Sequence, residues 1–114
     1  IKAVTGQRTV LHGASSVSTE EIENLFSDGI CKVNIWTTLE RDSTPVLLEK
    51  MLENITSIVS SEKIEALKKS GLIDQVVKAC GKPEVSFFTT SYRQQIIKEE
   101  MEKIILKYFS IWYQ

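Results

Sequence analysis

The chain has one histidine, two cysteines and two prolines among its 114 residues. A lone histidine, His12, excludes a self-contained histidine metal centre. Catalytic zinc generally takes three protein ligands, and neither an HxxxH nor a CxxC spacing occurs. Cys31 and Cys80 stand far apart in apolar surroundings, which reads as buried thiols in a reducing compartment rather than a disulfide. Charge of one sign is also lacking. A net charge of −1 gives no electrostatic case for nucleic acid or an anionic membrane surface. No apolar run is long enough to span a bilayer. No secretory signal pattern opens the chain, so the Asn54-Ile55-Thr56 sequon has no secretory context and the expected compartment is cytoplasmic. Hydrophobic residues at 42% and charged residues at 25% are the composition of an ordinary folded domain.

The first third reads as strand, loop, helix, strand. Arg8–His12 is a short apolar run and is expected as a buried strand. Gly13 to Ser16 is a loop of small residues. Ser18 and Glu21 have the spacing of a capping box, with Glu20 and Glu21 in the first turn where the helix dipole favours acids. Ile22, Leu25 and Phe26 then form one helical face, and Asp28-Gly29 closes it. Ile30–Trp36, "ICKVNIW", is rich in β-branched residues and is expected as a second strand. A helix between two strands is the crossover that a parallel pair requires.

The remainder reads as helical. Thr44 is expected to cap a helix with Pro45 at its first position. Leu47, Leu48, Met51, Leu52, Ile55, Ile58 and Val59 follow at helical spacing. Glu62–Ser70 and Leu72–Cys80 read as two short helices, each closed by a glycine, Gly71 and Gly81. A last helix from about Ser91 carries Ile97, Met101, Ile104, Ile105, Tyr108 and Trp112 on one stripe. Two strands are too few to support this many helices. Together with a beginning at Ile1 in mid-phrase, this predicts a piece of a larger α/β protein; a proteolytically matured N-terminus is the alternative for the first residue.

Candidate site residues cluster after the two strands, where α/β proteins bind ligands. Gly13 lets a backbone approach a ligand closely. Ala14 is small, Ser15 and Ser16 offer hydroxyls, and the helix start behind them favours an anion. A phosphate cradle and a tight turn packed with small residues both fit this loop. Asn34 is a polar residue in an apolar strand, either facing a ligand or bonded to nearby backbone. Thr37 and Thr38 extend the same end. His12, read alone, is a packed or hydrogen-bonded strand-end residue unless further ligands come from elsewhere.

Taken together, "VLHGASS", the acid-capped helix and "GICKVNIWTTLE" resemble the class II, zinc-dependent ketose-bisphosphate aldolases, the fructose- and tagatose-bisphosphate aldolases. The resemblance is clear from about Thr5 to Arg41. It implies that residues 1–114 are the C-terminal part of a single (β/α)8 TIM barrel, strands seven and eight with their helices and then C-terminal helices. It implies that His12 is a Zn2+ ligand, and that Gly13, Ala14 and Ser15 hold the phosphate of dihydroxyacetone phosphate. It implies that Asn34, Ile35, Trp36 and Thr37 contact the same substrate. The implied activity is reversible cleavage of a phosphorylated ketose to dihydroxyacetone phosphate and an aldehyde. The other zinc ligands and the catalytic acid/base belong to earlier strands of a longer parent, and the parent is expected to be a homo-oligomer. Ala14 and Ser16 stand where many members have Gly, and Trp36 where a smaller or acidic residue is common. These departures keep an alternative open, a degenerate aldolase-like phosphate-binding module without catalysis. A third reading is another phosphate-binding barrel enzyme without zinc.

Overall fold

The computed structural model describes residues 9–113. Ile1 to Arg8, including the expected strand start at Arg8, lie outside the described residues. Strand β1 is Thr9–His12, followed by a 3-10 turn at Ala14–Ser16. Helix α1 is Thr19–Asn24 and strand β2 is Ile30–Asn34. Helix α2 is Trp36–Glu53, and α3, Ile55–Ile58, is a single turn. Helix α4 is Ser61–Lys69, α5 is Val85–Phe88 and α6 is Thr90–Trp112. No helix among the described residues is long and apolar enough to cross a membrane.

The chain divides into two compact units, one of residues 1–43 with 100–114, the other of residues 44–99. In the first, β1 and β2 pair in parallel with His12 opposite Asn34. This mixed α/β arrangement, with α1 as the crossover, agrees with the sequence. The register shifts between Thr9 and Val10, so that Thr9 faces Ile30 while Val10 faces Lys32. Cys31 therefore sits at an irregularity, and its thiol donates to the Thr9 carbonyl at 3.4 Å. The core of this unit is Ala14, Ile22 and Tyr108, with Val17, Leu25, Val33, Ile35, Ile104, Ile111 and Trp112 packed against it. Trp112 Nε1 donates to the Ile22 carbonyl at 3.0 Å and its ring stacks on Tyr108 at 5.0 Å. The last helix thus fixes the crossover helix by burial and by a hydrogen bond at α1's own backbone. The capping box forms as the sequence specifies. The Glu21 N–H donates to Ser18 Oγ at 3.3 Å, and the Ser18 N–H donates to Glu21 Oε2 at 3.0 Å.

In the second unit Ile64 is fully buried. Asn54 Nδ2 donates to the Lys50 carbonyl at 2.9 Å and to Tyr92 Oη at 3.2 Å, and Tyr92 Oη donates to the same Lys50 carbonyl at 3.2 Å. The segment after Cys80 lies against the α3–α4 junction. The Lys82 N–H donates to the Thr56 carbonyl and the Glu84 N–H to the Ser57 carbonyl, each at 2.8 Å.

Several expectations need correction. The second strand stops at Asn34, and Trp36 begins α2, whose first bond runs from the Leu39 N–H to the Ile35 carbonyl at 3.0 Å. Thr44 and Pro45 lie inside α2 instead of starting a helix. A proline inside a helix removes one i→i−4 hydrogen bond, at a cost of roughly 3 kcal/mol, yet α2 runs through it from Trp36 to Glu53. Residues 72–80 form turns instead of a helix. Leu72 and Val76 are 74% and 82% exposed, so their spacing serves no core, and Asp74 Oδ1 takes the Val76 N–H at 2.8 Å in a local turn. Phe26 lies beyond the end of α1 and is exposed. Both cysteines are exposed, not buried.

Candidate functional site

The parallel pairing sets the site. Because β1 and β2 run the same way, their last residues, His12 and Asn34, arrive side by side at one edge. Asn34 Nδ2 lies 2.9 Å from His12 Nδ1. The backbone closes the same corner, with the Gly13 N–H donating to the Asn34 carbonyl at 3.1 Å. Gly13 then turns the chain with φ of 84°, a left-handed value that favours glycine. A Cβ added there would meet only Ser15 Oγ, at 4.0 Å. The backbone angle, not crowding, therefore selects the residue.

His12, Gly13, Val33, Asn34, Ile35, Trp36 and Thr37 line an open cleft of about 620 Å³. Six of the eight residues predicted from sequence are thus gathered in one place. The other two lie elsewhere. Ala14 is buried in the core, and with Ser15 it borders a second cavity of about 220 Å³, shared with Thr38, Arg41, Asp42, Lys107 and Tyr108 among others. The Ala14 side chain is therefore a packing group. Trp36 is 70% exposed, so its indole stands at the rim of the first cleft instead of filling it. The start of α1 offers less to an anion than its sequence suggests, because Ser18 already accepts the Glu21 N–H and the helix is six residues long.

Arg41 is a residue that sequence reasoning passed over. Its Nη1 donates to the Ser15 carbonyl at 3.1 Å, tying α2 to the small-residue turn. Its Nε and Nη2 bond the two carboxylate oxygens of Asp42 at 2.6 and 3.2 Å. This fork holds the Asp42 carboxyl below its ordinary range, chiefly by hydrogen bonding to Arg41, and raises Arg41 in turn. The neighbouring Arg-Asp pair was the available signal, since adjacent opposite charges at the start of a helix are free to orient one another. Thr38 Oγ1 is buried with no hydrogen-bond partner among the described residues.

The family model for class II fructose-bisphosphate aldolase matches residues 1–110. The chain belongs to the class II fructose-bisphosphate aldolase family. No solved structure matches it significantly. Family membership is consistent with the pairing of His12 and Asn34 at the carboxyl edge of parallel strands and makes an aldolase-type lyase the class of activity to consider. Class II aldolases are generally zinc-dependent. Among the described residues of this member, no three histidine, cysteine, aspartate or glutamate side chains come together as a metal site.

Proposed function

We propose that this chain is the C-terminal part of a class II aldolase barrel and contributes one zinc ligand and a substrate-binding edge to a longer parent. The parent would be a zinc-dependent aldehyde-lyase that cleaves a ketose bisphosphate reversibly to dihydroxyacetone phosphate and an aldehyde. The observation that carries the reading is His12 and Asn34, 2.9 Å apart, beside a glycine turn at the carboxyl edge of a parallel pair. In this family zinc supplies a Lewis acid for the ketose carbonyl. His12 would be one of its ligands. The Gly13–Ser16 turn would present backbone N–H groups to a phosphate, as the start of a helical turn does. Asn34 and Thr37 would orient the substrate's polar groups, and Trp36 at the rim would limit its size. Zinc site completion would depend on residues outside this chain.

Ala14, Ser16 and Trp36, which depart from the residues common in the family, favour one second reading, a phosphate-binding module without catalysis. One experiment separates the two: metal content and cleavage of fructose and tagatose bisphosphates by the full-length parent and its His12→Ala variant. The lyase reading expects bound zinc and turnover in the parent, both lost in the variant. A parent that cleaves neither substrate, or a variant with undiminished zinc and turnover, would overturn it. The isolated 114-residue chain is expected to hold no stoichiometric zinc.

A further inference from the structure

The second cavity, apart from the His12–Asn34 cleft, lies wholly within the first unit. Its volume is about 220 Å³, and Ile22, Ile104, Tyr108 and Ile111 give it an apolar wall. An apolar cavity of ~150 Å³ already admits a benzene molecule, so a body of one small ring fits. Two polar groups on the lining are unspent. Thr38 is 4% exposed and lines the cavity, and its Oγ1 has no hydrogen-bond partner among the described residues. A buried hydroxyl in that state is costly, and a ligand atom that reaches it recovers the bond. Lys107 lines the cavity from its exposed side, and no described residue forms an ion pair with it. Its charge reaches the Asp42 carboxylate, but that carboxylate already sits in the fork of Arg41. The Arg41 and Asp42 charges cancel one another, so Lys107 leaves the lining with one uncompensated positive charge.

We propose that this cavity is an accessory site for a small organic monocarboxylic acid with a compact apolar body. The body lies against the isoleucines and the Tyr108 ring. The carboxylate accepts from the Thr38 hydroxyl and pairs with Lys107. Each part of the ligand answers one part of the lining. A neutral alcohol would satisfy Thr38 and leave the Lys107 charge unanswered. Inorganic phosphate would answer the charge but leave the apolar wall uncovered, and it would bring a second negative charge with no cation to meet it. One negative charge on an apolar body matches all three features. The proposal does not rest on the aldolase reading, because none of these residues lines the first cleft.

The test is equilibrium dialysis of the full-length parent against radiolabelled benzoate, with benzyl alcohol and inorganic phosphate as competitors. Benzoate is expected to bind saturably, one per chain. Benzyl alcohol has the ring without the charge and phosphate the charge without the ring, so each should compete roughly tenfold more weakly than unlabelled benzoate. Lys107→Met should weaken benzoate binding by roughly tenfold. Thr38→Val should weaken it roughly threefold while melting no lower than wild type, which separates a lost ligand bond from a damaged fold. Lys107 is exposed, so its variant carries the test if the Thr38 variant unfolds. No saturable uptake would mean that water alone fills the cavity, and would overturn the proposal. Equal competition by benzyl alcohol would reduce the site to an apolar hole and overturn it too. So would binding that is indifferent to either folded variant, or binding lost instead in His12→Ala, which would put the acid in the first cleft. Uptake is read without turnover, so an inactive parent would sink the lyase reading and leave this one standing.

Discussion

Arg41 Nη1 donates to the Ser15 carbonyl at 3.1 Å, so a side chain on α2 holds the turn that follows β1. The bond fixes the orientation of one peptide in the stretch proposed to meet phosphate. Arg41→Met should leave the fold in place and loosen that turn. Hydrogen exchange at Ser16 and Val17 is expected to rise severalfold, and in the parent enzyme KM should rise more than kcat falls. Unchanged exchange would show that the contact positions nothing.

Capping gives a prediction in stability. Ser18 accepts the Glu21 N–H at 3.3 Å, and replacing such a cap by alanine costs ~1 kcal/mol. Ser18→Ala should lower the unfolding free energy by about that amount. Glu21 is held below the ordinary glutamate range, mainly by the Ser18 backbone hydrogen bond and next by the Ser18 side chain. A carboxylate with a depressed folded-state pKa adds stability that is present above its unfolded pKa and lost as pH falls through the folded one. Asp42, depressed by Arg41, acts in the same direction. Stability should therefore decline from mildly acidic pH downward, with a shallower slope in Ser18→Ala. Denaturant melts across that range check both signs.

Two glycines in the second unit separate crowding from backbone angle. A Cβ on Gly81 would stand 2.2 Å from the Val59 carbonyl oxygen and 2.6 Å from the Ser60 carbonyl carbon. These are backbone atoms and cannot yield cheaply. Gly81→Ala should destabilise by about 3 kcal/mol, the upper end for overpacking. Gly71 has φ of 77° and open space around it, so Gly71→Ala should cost only ~1 kcal/mol of backbone strain. Equal effects in chemical denaturation would contradict the close approach at Gly81.

These contrasts show where the sequence was readable. The Ser18–Glu21 box follows from short-range spacing and the parallel pair from a helix read between two strand runs, and the structure has both, with His12 beside Asn34. Residues 72–80 have helical spacing too, but spacing reports a face and not whether a core exists to receive it. Pro45 reads as a helix start because its local cost is known, yet α2 runs through it from Trp36 to Glu53. Trp36 belongs by type to the strand and by position to the helix. No local rule sees that the ladder ends at Asn34, where its carbonyl is taken by Gly13. Ala14 and Ser15 were grouped with the cleft residues because they are adjacent in sequence, yet one glycine angle turns their side chains toward a different cavity.

Thr38 tests the cost of an unsatisfied hydroxyl. Its Oγ1 is buried without a partner among the described residues, and an unsatisfied group of this kind costs about 1–3 kcal/mol. Thr38→Val keeps the shape and removes the polar atom, so the variant should gain roughly 1 kcal/mol. A loss of stability would mean that the hydroxyl is engaged, for example by water in the adjoining cavity.

The final helix carries the last prediction. Its apolar stripe includes Tyr108 and Trp112. The structure puts Tyr108 at 7% exposure, stacked on Trp112. A charge there would unfold the unit and say nothing about association. The apolar residues left in solvent are Leu106, Phe109 and Tyr113, at 64%, 50% and 79% exposure. Leu106 and Phe109 lie three apart on α6, so they share a face, and Phe109 packs edge-on against Tyr113 at 5.6 Å. A contiguous exposed patch of this kind favours self-association. Leu106→Lys with Phe109→Glu should therefore reduce association while the thermal unfolding midpoint stays close to that of the wild type. Sedimentation velocity over a hundredfold concentration range distinguishes the outcomes. A wild-type chain that remains monomeric throughout would leave this face with no part in assembly.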